Sequence, residues 1–364
     1  NDEQTNYLRH MLEEAKDRCD QVITFKDSTG VNTTQNRYTF NSVIDQNANK
    51  FETIQKMLNN MNAQYYFHNG YFKIYQDNDV DAVKVVNQSN CRDIKLTGRN
   101  HLPDINTFYV KYNNERKMFK QDVAFAELRD QLNTGMPVVS KEVVMQGITN
   151  KQQAERHARY LAESSRTEKE FVEYTAGADH CYSKPGDLIN LTHTEDDGKK
   201  HSGRILSISG NVATIDGTVE LDTTKTYTIY IDNGVNTTDN TITPYNQTLA
   251  DNTIFETIAT VSSTSTNELI LGSITGLQSI NQDNSDLTAY NRQLFNLVEP
   301  DASPTKPYQK EKLYKIISIT EIQPFQYQVV VQRYDGDKWL NIDAGYKFGI
   351  DITTSSWQSE YTET

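Results

Sequence analysis

The stretch Gly147–Asp187 decides the fold class: GITNKQQAERHARYLAESSRTEKEFVEYTAGADHCYSKPGD. Thr149 is followed three residues later by Gln152, which is the pattern of a capping box at the start of a helix. Small apolar side chains then recur at the three- and four-residue spacing of one helical face; they are Ala154, Ala158 and Leu161. We therefore predict a helix over residues 150–166 whose Ala-lined face packs against a β-barrel.

The second half of the stretch predicts a strand and then a turn. Phe171–Thr175 alternates apolar and polar residues, as a half-buried strand does. Pro185, Gly186 and Asp187 have turn chemistry, because Pro presets φ and Gly permits positive φ. We expect this turn to direct the chain into a following all-β domain. The stretch contains no catalytic arrangement, so it predicts a packing unit.

Composition and charge narrow the function classes. The length of 364 residues predicts two or three domains. An apolar fraction of 36% and 21 tyrosines favour β-rich, water-facing surfaces and protein contacts. The net charge of −13 argues against sequence-independent binding of nucleic acid through its phosphates. An acidic surface could line a passage through which DNA slides, or it could serve solubility alone.

The cysteines and the apolar runs exclude two further classes. Cys19, Cys91 and Cys181 are odd in number and far apart, which argues against a disulfide framework. No run of 18 apolar residues occurs, so no transmembrane helix is predicted, and no signal peptide is recognisable. The sequence begins inside a helical pattern, and we expect it to be part of a longer chain.

The N-terminal third predicts small mixed elements. An apolar stripe predicts a helix over residues 5–25, and RYTFNSVI predicts a strand over 37–44. A second helix is predicted over 48–62. The aromatic runs on either side of Asn69-Gly70 predict a β-hairpin over 64–74, since Asn-Gly is a strong hairpin signal.

The remaining two thirds predict mainly strands. In residues 92–177, alternating patterns predict strands over 92–96, 107–112 and 138–145, and a short helix over 123–132. A further strand is predicted over 169–177, and we expect it to pair with 138–145. From 188 to 331, short alternating runs separated by Gly, Asn and Asp turns predict a barrel or sandwich.

Two groups of residues imitate metal sites. Asp77, Asp79 and Asp81 begin like a calcium loop, but Ala82 and Gln88 stand where Gly and Glu are needed, so a solvated turn is the favoured alternative. His180 and Cys181 have His193, Asp196 and Asp197 nearby in sequence, without the spacing of a zinc site. We predict neither a metal nor a cofactor.

No enzyme motif of the GxSxG, HExxH or P-loop type is present, and we predict no enzymatic activity. Glu168 and Glu170 could form an acid–base pair. Residues two apart on a strand lie on the same face, however, and we expect these two carboxylates to lie on a face exposed to solvent. Aromatic residues around the hairpin could stack on sugars, although strand alternation favours core and rim positions; they are Tyr65, Tyr66, Phe67, Tyr71 and Phe72.

The order of these features resembles the tail hub proteins of phages and gene transfer agents, including the central tail-tip attachment protein of lambda-like siphophages. The segments that carry the resemblance are Arg37–Asp77, Phe108–Asp122, Gly147–His193, Gly203–Ile208 and Leu313–Trp339. The third segment is the most specific, and residues 209–300 depart from the family pattern. The residues that match the structural motifs of the family are Gly147, Gln153, Ala154, Arg156, Pro185, Gly186, Asp187, Gly203 and Arg204.

The resemblance implies a β-rich α+β fold with tail-hub-like β-barrel domains. The implied domains are 1–90, a helix plus a strand–helix–hairpin domain; 91–187, a hub barrel portion with one helix; 188–305, an inserted all-β barrel; 306–345, the closing hairpin of the hub barrel; and 346–364, a C-terminal extension.

The implied function is that of a structural hub at the tail tip or baseplate of a virion. The resemblance implies a homotrimer that closes the distal end of the tail tube, adapts sixfold to threefold symmetry and gates DNA ejection. Its implied partners are the distal tail protein ring, the tape measure protein, other tip or fibre proteins, DNA in transit and, indirectly, the host envelope. The alternatives are a tail-associated carbohydrate-binding module and a cell-wall-degrading module.

Overall fold

The structure is a computed structural model that describes most of the chain. The described residues are 12–13, 15–26, 32–45, 47–68, 71–78, 80–99, 105–128, 135, 137–181, 183–192, 201–232, 254–275, 277, 293–298 and 313–343. Within those ranges, no helix combines the length and the apolar character that a membrane crossing requires. The chain divides into two compact units, which are residues 1–79, 101–168 and 336–364, and residues 80–100 and 169–335.

Strands dominate both units. In chain order they are β1 (Val22–Lys26), β2 (Asn32–Asn36), β3 (Ala63–His68), β4 (Tyr71–Gln76), β5 (Lys84–Val86), β6 (Cys91–Arg99), β7 (Thr107–Asn114), β8 (Lys120–Glu127), β9 (Ser140–Val144), β10 (Glu170–Ala176), β11 (Leu188–Leu191), β12 (Ser202–Ser209), β13 (Val212–Glu220), β14 (Tyr227–Asp232), β15 (Ile254–Thr260), β16 (Ser265–Leu271), β17 (Leu294–Val298), β18 (Leu313–Gln323) and β19 (Gln326–Arg333). The helices are α1 (Lys50–Asn60), α2 (Lys151–Thr167) and α3 (Lys338–Asp343), with single 3-10 turns at Glu115–Lys117 and Ala178–His180.

The first unit begins with two hairpins and a helix. The Asn49 side chain caps α1 by accepting a hydrogen bond from the Phe51 amide at 3.1 Å. Strands β3 and β4 pair in register around the Asn-Gly position, which itself lies outside the described residues. The predicted second helix and the predicted hairpin are therefore confirmed.

Two predictions in this region are wrong. The helix predicted over 5–25 stops after Asp20, and β1 follows at Val22 because its residues pair with β2; residues 5–11 lie outside the described part. The strand predicted over 37–44 is irregular. Its amides bond instead to loop carbonyls, as Arg37 does to Gln21 and Asn41 to Gly147, so the chain builds no ladder there.

A three-stranded sheet of order β8-β7-β9 forms the main core of the first unit. Strand β7 pairs antiparallel with β8 and parallel with β9. Helix α2 covers one face of the sheet, and its alanines are fully buried against apolar strand residues. Short side chains let the helix backbone approach the strands closely. The predicted packing of the Ala-lined face is confirmed, but its partner is this sheet and not a barrel.

One helix prediction and one strand-pairing prediction are also wrong. A helix is predicted over 123–132, but strand β8 occupies most of the described part of this range. The side chains of Ala124 and Ala126 are buried and the one between them is not, which is the alternation of a strand. The strand predicted over 169–177 exists as β10, but β10 pairs with β6 and β19. The pairing partner of β9 is β7.

The second unit contains a six-stranded sheet and a closed barrel. The sheet has the order β5-β11-β18-β19-β10-β6 and is antiparallel except for β5 with β11. The barrel has the order β12-β13-β16-β15-β14-β17 and is filled by Ile205, Ile215, Ile229, Leu269 and Phe295, among others. The prediction of a β-rich α+β fold that contains a β-barrel is confirmed.

Candidate functional site

The family-motif residues of the first unit hold an irregular backbone segment, residues 37–41, against helix α2. The Gln153 side chain binds Thr39 on both sides: its Oε1 accepts from the Thr39 amide at 3.2 Å and from Thr39 Oγ1 at 2.8 Å. Its Nε2 donates to the Thr39 carbonyl at 3.1 Å. Gln153 is buried, so this amide takes the place of a strand partner that the segment lacks.

Arg156 makes the next contact along the same segment. Its Nη2 donates to the Arg37 carbonyl at 2.7 Å, and burial lowers the pKa of Arg156 to about 10. Arg37 in turn forms a two-pronged ion pair with Asp343 at the end of α3, with one contact of 2.9 Å. The Ala154 side chain between these polar residues faces the sheet core and is fully buried.

Gly147 closes the segment from the other side. It has φ +88°, and its carbonyl accepts from the Asn41 amide at 2.8 Å. A Cβ at this position would lie 2.4 Å from two ring carbons of Phe40. Both the backbone conformation and the close approach therefore require glycine.

The start of α2 corrects the predicted capping box. Asn150 is the N-cap, and its side chain accepts from the Gln152 amide at 2.9 Å. Thr149 bonds outward instead: its hydroxyl donates to Glu115 at 3.2 Å and accepts from Asn41 at 3.0 Å. The Thr149 hydroxyl therefore links Glu115 to Asn41, and the Asn150 side chain caps the helix instead.

A buried ion cluster lies near the C-terminal end of α2. The Lys338 ammonium is fully buried between the carboxylates of Asp77, at 2.8 Å, and Glu168. Tyr160 donates its hydroxyl to Asp77 at 2.7 Å, and its ring centroid lies 5.1 Å from the Lys338 ammonium. The cluster ties α3 to α2 and to the end of the β3–β4 hairpin.

This cluster corrects two predictions. Asp77 belongs neither to a calcium loop nor to a solvated turn, because it is buried and bound to Lys338 and Tyr160. Asp79 lies outside the described residues, and Asp81 is exposed. Glu168 was predicted on a solvated face and is buried too. Its partner Lys338 is 170 residues away, so no local pattern reveals it.

The predicted turn of the second unit is bonded to strand β18. The Asp187 side chain accepts from the Lys184 amide at 2.9 Å. Gly186 has φ +97° and donates to the Ile316 carbonyl at 2.8 Å, while the Ile316 amide donates to the Asp187 carbonyl at 2.9 Å. Pro185 is half-buried at the start of the turn. The turn leads into β11 of the six-stranded sheet, and the first barrel strand begins at Ser202.

Three buried asparagines join the six-stranded sheet to the barrel. The Asn87 side chain, after β5, donates to the carbonyls of Gly203 at 3.3 Å and Phe295 at 3.1 Å. Asn296, inside barrel strand β17, donates to the Asn190 carbonyl at 3.0 Å and to its side-chain oxygen at 2.8 Å. Asn87 also donates to the Asn296 side-chain oxygen at 3.3 Å, so the amides bond to one another and to strand carbonyls in a buried site, whereas the Asn190 side-chain nitrogen has no hydrogen-bond partner among the described residues.

Gly203 and Arg204 lie at the edge of this junction. A Cβ on Gly203 would lie 2.3 Å from Asp216 Oδ1. The same carboxylate oxygen accepts from the Arg204 amide at 2.8 Å, and the Arg204 guanidinium donates to the Ser89 carbonyl at 2.8 Å. The predicted motif residues thus divide between the two units: Gly147, Gln153 and Arg156 meet at the irregular segment of the first unit, whereas in the second unit the Pro185–Asp187 turn contacts β18 and the Gly203–Arg204 pair contacts the asparagine junction.

The asparagine junction was missed from the sequence, although a signal exists. Asn190 lies in the run LINL and Asn296 in the run LFNLV, and every residue of both runs is buried. An amide inside a fully apolar strand must find a hydrogen-bond partner when it is buried. Such a residue marks a contact with another element.

The buried His180 ring lies between the Tyr174 hydroxyl and the Asp179 carboxylate. His180 Nε2 lies 3.1 Å from the Tyr174 hydroxyl, and its Nδ1 lies 3.2 Å from Asp179. Burial lowers the pKa of His180, and it raises the pKa of Tyr174 and, to about 12, that of Cys91. A thiol with so high a pKa is a poor nucleophile at neutral pH.

The predicted absence of a metal site concerns partly undescribed residues. His193, Asp196 and Asp197 lie outside the described part, and among the residues that the structure describes no group of three His, Cys, Asp or Glu side chains could hold a metal ion. Three of the hairpin aromatics, Tyr65, Phe67 and Phe72, pack on one another, and the ring centroids of Tyr65 and Phe72 lie 5.3 Å apart.

Comparison with known proteins links part of the chain to phage tails. Residues 52–208, less than half of the chain, match the model of a family described as putative phage tail protein. This segment includes helix α2 and both groups of motif residues. No curated protein matches the chain. The family match supports a structural phage tail component in a virion.

Three solved structures share a limited likeness with the chain. One chain of a native gene transfer agent virion has 10% identity and a TM-score of 0.39, over 85% of this chain and 42% of its own length. A tail protein from Neisseria meningitidis MC58 has 13% identity and a TM-score of 0.32, over 43% of this chain and 48% of its own length. The 43 kDa tail protein of prophage MuSo2 from Shewanella oneidensis has 11% identity and a TM-score of 0.29, over 42% of this chain and 44% of its own length. The chain thus spans less than half the length of each.

Proposed function

We propose that the chain is a structural hub protein at the tail tip or baseplate of a phage or phage-like particle. The observation that carries the proposal is the family match over residues 52–208, which contains the motif residues of both units. These residues fix neighbouring segments by buried hydrogen bonds and close packing. Gln153 accepts a hydrogen bond from the Thr39 amide, and Gly203 packs closely against Asp216. A protein whose function lies in assembly needs such rigid junctions more than it needs a reactive cleft.

The proposed assembly is a homotrimer that closes the distal end of the tail tube and adapts sixfold to threefold symmetry. Closed symmetric rings are the usual way in which identical β-rich subunits cover their strand edges. The proposed neighbours are the distal tail protein ring, the tape measure protein and other tip or fibre proteins. DNA would pass through the lumen at ejection, and contact with the host envelope would be indirect.

The test is the number and position of copies in purified particles. Quantitative mass spectrometry against isotope-labelled peptides should give three copies per particle, and gold-labelled antibody should bind at one tail end. Binding along the whole tail, or a copy number that is no multiple of three, would contradict the hub. Particle-free chain that binds glycan arrays or clears cell-wall suspensions would favour the alternative module instead.

A further inference from the structure

The buried ion cluster contains the three groups that a chain needs to form an amide bond between two of its own side chains. The primary amine of Lys338 lies 2.8 Å from Asp77 Oδ2 and also contacts Glu168. The exposed fraction is 0% for Lys338, 5% for Asp77 and 7% for Glu168. One carboxyl group can therefore be attacked by the amine while the other carries protons.

The surroundings assign these two roles to different carboxylates. Asp77 Oδ2 also accepts a hydrogen bond from the Tyr160 hydroxyl at 2.7 Å, and such a donor stabilises the negative charge that develops on a carboxyl oxygen during attack. Burial, followed by the charge of Asp77, raises the pKa of Tyr160 well above its ordinary value, so the hydroxyl keeps its proton. Glu168 is the C-cap of α2, where its amide donates to the Ser164 carbonyl at 3.0 Å. Its position beside the amine is therefore fixed.

Aromatic rings surround the amine and favour the reactive protonation states. The Lys338 ammonium lies 5.1 Å from the ring centroid of Tyr160 and 5.5 Å from that of Trp339. A buried, weakly polar site disfavours charged groups, so transfer of one proton from the ammonium to Asp77 gives a neutral amine beside a neutral carboxylic acid. Reacting groups that are held in contact react far faster than the same groups in solution.

We propose that Lys338 and Asp77 form an amide bond spontaneously in the folded chain, with Glu168 as the acid–base catalyst. After the first proton has moved to Asp77, the neutral nitrogen attacks the Asp77 carboxyl carbon. Glu168 takes the second proton from this nitrogen and delivers it to the departing hydroxyl. One C–N bond forms, one C–O bond breaks, and the oxygen leaves with both protons as water. Glu168 ends as a carboxylate, so the three side chains balance the reaction by themselves.

The bond would join two distant parts of the chain. Asp77 follows strand β4 directly, and Lys338 begins helix α3, 261 residues later. All residues of the second unit, 80–100 and 169–335, would then lie inside one covalent loop. Closing a long loop lowers the entropy of the unfolded chain and so stabilises the fold. This reaction occurs once in each chain and does not depend on the proposed hub function.

The test is the mass of the purified full-length chain, measured under denaturing conditions after incubation at neutral pH. We expect a mass lower by one water molecule than that calculated from the sequence. Trypsin should release a branched peptide in which residues 74–84 are joined to residues 334–347 through Asp77 and Lys338, as tandem mass spectrometry can show. An unreduced mass for a chain with a folded circular dichroism spectrum would overturn the proposal.

Matched variants assign the reacting groups. Lys338→Met and Glu168→Gln should both restore the full mass, since the first lacks the amine and the second cannot accept its proton. Glu163→Gln and Lys315→Met remove a buried carboxylate of α2 and a buried amine outside the cluster. Both control variants should keep the mass deficit. A deficit that is retained in Glu168→Gln would overturn the role of Glu168 as catalyst.

One further variant gives a signal that misfolding cannot produce. In Asp77→Asn, attack by the same amine expels ammonia instead of water. We therefore expect the same two tryptic peptides to be joined, with a deficit equal to the mass of ammonia. Loss of water that persists in Lys338→Met would arise elsewhere, for example by ring closure at Asp335-Gly336, and would contradict the proposal.

The outcomes separate the amide bond from the hub proposal. If the branched peptide is found but the copy number in particles is not a multiple of three, the bond stands and the hub is wrong. If particles contain three copies at one tail end and the chain from those particles has its full mass, the hub stands and the bond is wrong.

Discussion

Replacing Gly147 by alanine should destabilise the first unit by two separable effects. The left-handed backbone, φ +88°, costs an alanine about 1–2 kcal/mol. The new Cβ would lie 2.4 Å from two carbons of the Phe40 ring, and forcing such an overlap typically costs about 1–3 kcal/mol more. We expect a total loss of about 2–5 kcal/mol, which is large beside the stability of an ordinary domain.

The measurement needs a signal from the first unit alone. Trp339 is buried in that unit, and the second tryptophan, Trp357, can be replaced by Phe so that urea unfolding is followed through Trp339 fluorescence. A local signal is necessary because a chain with two compact units need not unfold in one step. The free energy of unfolding is then compared between Gly147→Ala and its parent.

The chain offers a matched control for the backbone term. Gly135 has φ +83°, and a Cβ added there meets no atom within 4 Å. Gly135→Ala should therefore lose only the backbone term, about 1–2 kcal/mol. Combining Gly147→Ala with Phe40→Ala should cost less than the sum of the two single changes, because the overlap is gone. Equal losses for Gly147→Ala and Gly135→Ala would refute the close approach to Phe40.

Three further changes test the other buried groups. Lys338→Met should lower the free energy of unfolding by about 3–5 kcal/mol, because it removes the ammonium group that both buried carboxylates contact; adding Asp77→Asn and Glu168→Gln should recover part of that loss in the same urea assay. Gly203→Ala should cost about 1–3 kcal/mol more in the second unit than Gly177→Ala, which has negative φ and whose Cβ meets only an ordinary contact of 3.7 Å; equal costs would remove the contact with the carboxylate. Burial lowers the pKa of His157 from 6.5 to about 4. The unfolded chain therefore binds this proton first, and stability falls between pH 6.5 and 4, by about 2 kcal/mol at pH 5. His157→Asn should show a correspondingly smaller loss between pH 7 and pH 5.

Local patterns predicted most elements of the fold and few of its pairings. The β3–β4 hairpin was predictable because its turn residues and its strands are adjacent in sequence. The pairing of β10 with β6 and β19 was not, since those strands lie about 75 residues before it and 155 residues after it. Alternation within residues 120–127 was overlooked because charged residues there resemble a helical surface.

The motif residues show a similar division. Gly186 has the positive φ that its place in the Pro-Gly-Asp turn predicts, because this backbone conformation favours glycine in the sequence; Gly147, which only the family resemblance indicates, also has positive φ. The roles of Glu168 and Asp77 were not predictable, because one buried lysine far along the chain changes both from solvated groups into buried ones. Charge pairing over long sequence distances leaves no periodic signal, so composition alone assigns such residues to the surface.

The buried asparagines of the second unit have a consequence that apolar packing could not produce. Strand β17 is buried at all five positions, so hydrophobic burial alone does not distinguish one register of this strand from another. Asn296 donates to both oxygens of Asn190 and to the Val86 carbonyl, and a shift by one residue would remove these hydrogen bonds from buried groups. The amides therefore specify how the barrel is joined to the six-stranded sheet. In the proposed symmetric assembly, each subunit would need this single arrangement to present the same surface to its neighbours.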